Sequence, residues 1–360
     1  MEFKAVQDAV IANNLSFFEN SSTELLACMQ HSKSFDTPLH IACRLGKADI
    51  LKYLIDSNKT NLEACNREGK RPLHEAAHNS HDDCVCLLLG HKVQVDPFKS
   101  GDWTPLMLAC TKSSLSTVQI LLQTGADPCL KNKDGWNSFH IACREGHLTI
   151  VQCLMKFQPD IWNTKSKNHR SPLHTAALYG RTETVLYLVT ECSYCTDEKD
   201  CCGVTPLMDA LRAGHVDTAH VLINLHKASI IEEDKMGRQS LHLTAQSSML
   251  TALEYLLGKG LSVNSRSARL LETPLHLAAM EGHSQTGERL IELGAEINAR
   301  DYRERSALHY ASCGQHCDFV ALLLSHGAEC FPDVNGHLPQ SMAQKTSLKE
   351  IFRKYMNFST

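Results

Sequence analysis

No apolar run in the 360-residue chain is long enough to cross a membrane. Runs such as Leu87-Leu88-Leu89 fall far short of the roughly 18 residues a spanning helix needs. Residues 1–10 carry Glu2, Lys4 and Asp8 among their apolar positions, which reads against a signal peptide. An excess of charge of one sign is also missing. The 36 Lys+Arg and 40 Asp+Glu leave a formal net charge of −4, which argues against a strongly basic nucleic-acid binder. There is no Gly-X4-Gly-Lys-Ser/Thr, no Gly-X-Gly-X-X-Gly after a strand and no Gly-X-Ser-X-Gly. Phosphate cradling, dinucleotide binding and serine-hydrolase chemistry therefore lack their residues. The carboxylates are scattered without a repeated pairing, so neither an enzyme nor a cofactor is expected.

What the chain does have is a 43% apolar fraction, enough for a core, and 16 cysteines. A disulfide framework of that density belongs to short secreted chains. The expectation here is free thiols in a reducing compartment, cytoplasmic or nuclear. Length alone, at about 150 residues per domain, suggests two or three domains.

A recurring tetrapeptide replaces that estimate. It reads Thr37-Pro38-Leu39-His40, Arg71-Pro72-Leu73-His74, Thr104-Pro105-Leu106-Met107 and Asn137-Ser138-Phe139-His140. It continues as Ser171-Pro172-Leu173-His174, Thr205-Pro206-Leu207-Met208, Gln239-Ser240-Leu241-His242, Thr273-Pro274-Leu275-His276 and Ser306-Ala307-Leu308-His309, with a degraded copy at Leu338-Pro339-Gln340-Ser341. Successive copies are 32 to 34 residues apart. Small pairs follow in phase, such as Ala42-Cys43 and Ala176-Ala177, then Gly-His pairs such as Gly146-His147, an apolar stripe, and Gly125-Ala126-Asp127 or Gly294-Ala295-Glu296. Each unit reads as two short helices. Ser or Thr before Pro starts the first helix, small residues allow close approach, and Gly reverses the chain. One such unit cannot bury its apolar face alone, so the units must stack into a solenoid.

The pattern resembles the ankyrin repeat, whose signature is Thr-Pro-Leu-His at a period near 33 residues. The resemblance implies an all-α ankyrin-repeat solenoid of helix-turn-helix units with β-turn fingers, nine clear repeats and terminal caps. Residues 1–33 form a capping helix pair, with Phe3, Val6, Val10, Leu25 and Leu26 at helical spacing. Residues 34–335 form the repeats, and residues 336–360 a degraded repeat and helix. In that helix Leu348, Ile351, Phe352 and Tyr355 oppose Lys349, Glu350, Arg353 and Lys354, within a span that runs to Phe358.

The resemblance also gives the histidines a structural role. His40, His74, His140, His174, His242, His276 and His309 tie loops to neighbouring backbones. His81, His147, His215, His283 and His316 share a second repeat position and the same reading. Cys43, Cys110 and Cys143 stand where alanine recurs and read as small buried hydrophobes. Cys192, Cys195, Cys201 and Cys202 are crowded. The Cys-X-X-Cys spacing suits zinc, but the Cys-Cys dipeptide departs from the usual second half, so structural or incidental thiols are favoured.

The family's binding face is concave, built from turn tips and the outer side of the first helix. The residue before each signature and the residue at the fourth position after it hold seven Lys/Arg and two Asp/Glu. Wider columns reduce this bias to eight against six. Trp103 and Trp136 occupy one turn-tip position in adjacent units and are expected to stand exposed side by side. Arg144, Arg170 and Tyr179 lie near them, and Lys112, Lys131, Lys133, Lys165 and Lys167 project from the same region. Trp, Tyr and Arg dominate interface hot spots. The expectation is a monomeric, non-catalytic scaffold that binds and regulates or positions a protein partner through this face, away from membranes. Two alternatives are single-stranded nucleic acid on the basic Trp-bearing face and a zinc-stabilised module at the Cys192–Cys202 cluster.

Overall fold

The computed structural model describes residues 3–22, 26, 29–57 and 60–356, so Leu25 and Phe358 lie outside the described residues. The chain divides into two compact units, residues 1–172 and 173–360. Both are built from the same helix pairs.

In the first unit Phe3–Ile11 and Leu15–Glu19 precede the repeats and bury Val6, Val10 and Phe18. The repeats pair Pro38–Leu45 with Ala48–Asp56, Pro72–His78 with Asp82–Gly90, Pro105–Ala109 with Leu115–Gln123, and Ser138–Glu145 with Leu148–Phe157. Pro172–Leu178 begins where the units divide. The second unit continues with Thr182–Glu191, then Pro206–Arg212 with Val216–Asn224, Ser240–Gln246 with Leu250–Gly258, Pro274–Glu281 with Ser284–Glu292, and Ala307–Cys313 with Cys317–Ser325. A short 3-10 turn, Pro339–Met342, stands where the degraded copy begins. The final helix, Thr346–Met356, buries Leu348 and Phe352 and exposes Lys349, Glu350, Arg353 and Lys354. The fold is the all-helical solenoid that the tetrapeptide implies.

Small residues set the helix spacing. Ala42, Cys43, Ala76, Ala77, Cys110 and Cys143 are wholly buried, so these cysteines do serve as alanine substitutes. The helices start as the sequence suggests, with one refinement. Where the fourth signature residue is Met, the Thr104 and Thr205 hydroxyls accept the Met107 and Met208 amides at 3.3 Å. Asn137 Oδ1 likewise accepts the His140 amide at 3.1 Å. Where a signature starts with Thr and ends in His, the ring takes part. The Thr37 amide donates to His40 Nδ1 at 3.2 Å, and the Thr273 amide donates to His276 Nδ1 at 3.1 Å. Nδ1 is then the acceptor, which leaves the Nε2 hydrogen to point elsewhere.

It points at the next repeat. His40 Nε2 meets the Lys70 carbonyl at 2.9 Å, His74 that of Trp103 at 3.2 Å, and His140 that of Arg170 at 3.2 Å. In the second unit His174 meets the Val204 carbonyl, His242 that of Glu272, His276 that of Arg305 and His309 that of His337, all within 3.0 to 3.2 Å. The second histidine column reaches the other way. His81, His283 and His316 bond the carbonyls of Arg44, Gln246 and Met280 in the preceding repeat.

Between helix pairs the chain folds into a short finger. Asn132 N–H donates to the Trp136 carbonyl at 2.8 Å and closes the finger, and Lys133 N–H donates to Gly101 of the previous finger at 3.0 Å. Equivalent backbone rungs run from Lys167 to Asp134, from Lys235 to Cys202 and from Ala268 to Gly237. The return of the finger needs a left-handed residue. Gly135 has φ +79°, and a Cβ there would lie 2.6 Å from the Lys167 amide nitrogen.

Two outcomes follow. Gly135→Ala sets the left-handed cost of about 1–2 kcal/mol against a close approach to backbone that cannot move aside. Urea unfolding should show a lower midpoint, with wild-type stability counting against this account of the rung. Second, burial holds His74, His140 and His276 at a pKa of about 4. The unfolded rings take up their proton near 6.5, so their contribution is complete above that value. It drains away as pH falls towards 4, by roughly 3 kcal/mol per ring. Stability measured across that window should drop steeply, and a flat profile would contradict neutral, donating rings.

Candidate protein-interaction site

The two tryptophans stand on the return legs of adjacent fingers. The Trp103 carbonyl closes its own finger by accepting from Lys99 N–H at 3.0 Å, and it also receives His74. Trp136 N–H donates to Asn132 Oδ1 at 2.9 Å, an oxygen that also accepts from Asp134 N–H. Asn66, Asp200, Asp234, Asp301 and Asp333 hold their fingers in the same way. The backbone that carries each tryptophan is thus fixed by bonds its side chain does not make.

The side chains are half-buried, which corrects the expectation of two exposed rings. Trp136 lies nearly parallel to the His140 imidazole, at 18° and 6.2 Å between centroids, with the Arg144 guanidinium 5.6 Å from its ring. Lys99 Nζ stands 5.6 Å over Trp103. The rings pack on their own finger and helix and leave one part of their surface open. That part lines a recess of about 350 Å³ shared by Trp103, Lys133, Trp136, Arg144, Lys167 and Arg170, together with Asp134 and the polar side chains of Asn132, Ser166 and Asn168. Six of the residues singled out from sequence are brought together here.

The others are placed differently. Lys131 is exposed and does not line the recess; its Nζ donates to the Lys165 carbonyl at 2.8 Å, a strut between fingers. Lys165 is exposed beside it, and Lys112 is exposed but does not line the recess. Tyr179, 44% exposed, belongs to the second unit. Asn132, Ser166 and Asn168 were missed. The Asn or Asp in step six residues before the signature's second position was the available signal for Asn132.

The basic columns read from sequence are largely neutralised. Arg44 bonds Asp36 and Glu75 at 3.0 Å, and Lys70 approaches Glu75 and Glu68. Arg144 Nε donates to Glu145 at 2.7 Å. In the second unit Arg212 pairs with Asp209, Arg238 with Asp234 and Arg305 with Asp333. Backbone amides and Arg305 hold Asp333 down at about 2 despite the opposing effect of burial. A cation already engaged by a carboxylate offers little to a phosphate backbone, so the columns give the nucleic-acid alternative no support. Lys133 and Lys167 differ: they are exposed on successive finger tips at the rim of the recess.

A larger recess of about 870 Å³ opens in the second unit between Arg266, Arg300, Asp301, Tyr302, Glu304 and His326. Its cations are held internally. Arg266 donates to the Arg300 carbonyl at 3.0 Å, and Arg300 pairs with Glu304 at 2.9 Å and lies 4.4 Å over the Phe331 ring. In the cysteine cluster Cys192 is buried while Cys195, Cys201 and Cys202 are exposed. Among the described residues no three His, Cys, Asp or Glu side chains are grouped to hold a metal ion, so the zinc alternative has no ligand set. No helix among the described residues is long and apolar enough to cross a membrane.

Comparison with known proteins agrees with the repeat geometry. A family profile described as "Ankyrin repeats (3 copies)" matches residues 9–99, 39–132, 106–200, 191–267 and 241–333. The chain is 25% identical over 302 residues to transient receptor potential cation channel subfamily A member 1 of Homo sapiens, covering 82% of this chain and 24% of that protein. It is 26% identical over 346 residues to the Drosophila melanogaster protein of the same name, covering 84% and 29%. The chain therefore spans only about a quarter of the length of these relatives. Among solved structures the human ASB11 ankyrin repeat domain matches with a TM-score of 0.54 and 27% identity, over 61% of this chain and 97% of that one. By its signature, its helix pairs and the span of the profile, the chain belongs to the ankyrin repeat family.

Proposed function

We propose that this chain is a non-catalytic scaffold that binds a protein partner through the Trp103–Trp136 recess and so regulates or positions it. Ankyrin repeats in general are protein-interaction modules, and the composition of the recess supports that role here. The observation that carries the reading is the convergence of two half-buried tryptophans, Arg144 and Arg170 on one opening rimmed by Lys133 and Lys167. Aromatic and arginine anchors in a partly desolvated pocket with a charged rim are the composition of an interface hot spot. The finger backbone is already fixed, so little conformational entropy remains to be lost on binding. Binding would be stoichiometric, with little change of shape. The alanine-like burial of Cys43, Cys110 and Cys143 as free thiols supports a reducing compartment, cytoplasmic or nuclear.

The test is affinity capture with mass spectrometry, comparing wild type with Trp103→Ala/Trp136→Ala. The proteins captured should fall away in the variant. Because Trp136 also packs on His140, a second variant guards against partial unfolding. Lys133→Glu/Lys167→Glu changes only exposed tips, and it should keep the wild-type melting temperature while weakening capture at least tenfold. An unchanged set of captured proteins in both variants would place the interface elsewhere.

A further inference from the structure

The Cys201–Cys202 dipeptide occupies a finger tip of the second unit. The equivalent positions elsewhere hold Arg67-Glu68, Lys133-Asp134 and Lys167-Asn168. Both thiols are free and exposed, and their sulfurs lie 3.8 Å apart. The neighbouring Cys195 thiol is turned to the Thr196 carbonyl at 3.5 Å, and Cys192 is buried. The four cysteines thus divide into a matched pair and two separate thiols.

We propose that Cys201 and Cys202 are a vicinal dithiol that a hydroperoxide converts reversibly to an intrachain disulfide, and that this closure loosens the finger. One thiolate attacks the peroxide oxygen, giving a sulfenic acid and releasing the alcohol or water that was the leaving group. The second thiol attacks that sulfur, the S–S bond forms, and water leaves with the sulfenic oxygen. The dithiol loses two electrons and two protons, and the O–O bond takes up both electrons. The hydroperoxide is the only co-reactant.

The same geometry predicts that the product is labile. Adjacent Cα atoms are about 3.8 Å apart across a trans peptide, below the roughly 4.4–6.8 Å that disulfides usually span. Ring closure must therefore turn the peptide between the two residues. A strained, exposed disulfide is readily reduced, as a reversible modification requires.

That peptide is held through its N–H, and the peptide that follows it, between Cys202 and Gly203, is held through both of its polar groups. Cys202 N–H donates to Asp200 Oδ1 at 2.8 Å, and Gly203 N–H donates to the Asp200 carbonyl at 3.0 Å. The Cys202 carbonyl accepts from Lys235 N–H at 2.9 Å, the rung to the next finger. Turning the peptide pulls first on the Asp200 bond and then on this rung.

The experiment uses the full chain, hydrogen peroxide and trypsin. Cleavage after Lys199 and Arg212 releases residues 200–212, whose only cysteines are these two. After mild oxidation and alkylation this peptide should be lighter by two hydrogens and free of alkyl label, and a dithiol reductant should restore labelling. Cys201→Ser and Cys202→Ser should each abolish the shift. Hydrogen exchange at the Lys235 amide should speed up several-fold on oxidation in wild type and stay unchanged in either variant. Separate sulfinic acids, a cross-link to another chain, or full alkylation after oxidation would each overturn the dithiol assignment. An oxidised peptide with unchanged exchange at Lys235 would overturn the coupling to the finger.

Discussion

One carbonyl oxygen per repeat carries the architecture. It belongs to the residue just before the signature. Where the previous repeat carries the signature histidine, as for Lys70, Trp103, Arg170, Val204, Glu272, Arg305 and His337, it accepts twice. After Met107 and Met208, which bring no imidazole, the Trp136 and Arg238 carbonyls take the finger amide. The first donor is an amide of its own finger, as Lys99 N–H is to Trp103. The second is the imidazole of the previous repeat, as His74 is to Trp103. A carbonyl has two lone pairs, and here one closes a turn while the other joins two units. Where a backbone amide donates to Nδ1, as at His40, His74 and His276, the arrangement works only while Nδ1 accepts and Nε2 donates. Burial enforces that state by disfavouring the charged ring. In the repeats stapled by histidine, local turn geometry and the stacking of units share one acceptor atom.

The same economy governs the charges. Cations on the first helices and on the finger residues just before them stand close to carboxylates supplied by their own or an adjacent repeat, Arg44 with Glu75 and Arg305 with Asp333 among them. The face is richly charged but internally compensated. Tyr310 shows how tightly, since its hydroxyl lies 2.9 Å from both Glu272 and Asp301. One hydroxyl hydrogen cannot serve both contacts, and burial pushes the Glu272 carboxyl up, towards holding the second proton. Against this background the exposed lysines of the recess stand out. They are Lys133 and Lys167, on finger tips at its rim.

The repeating unit was almost fully legible in the sequence, because its determinants recur in phase. Thr-Pro marks a helix start, Ala-Ala or Ala-Cys a close approach, and His a staple to the next unit. The candidate site was legible in part. Periodicity put Trp103 and Trp136 at equivalent positions in neighbouring fingers, and the structure gathers them. Their degree of burial was not legible, because it depends on His140, Arg144 and Lys99, which lie over the rings only once the finger has folded. Counting cations by column failed for the same kind of reason. Asp234 and Asp333 neutralise Arg238 and Arg305 from finger positions outside the columns counted. Asn132 was overlooked because its work is done by side-chain-to-backbone bonds within a turn, which leave no hydrophobic period behind.

The rungs between fingers are made entirely by main-chain amides and carbonyls, such as Lys133 to Gly101 and Lys167 to Asp134. The side chains at those tips contribute nothing to the rung beyond allowing the turn. A tip residue can therefore be exchanged with little effect on the stack, provided the left-handed glycine behind it stays. Stability and recognition are written in different atoms of the same residues, so the surface can acquire a new specificity one finger at a time while the scaffold beneath it stays the same.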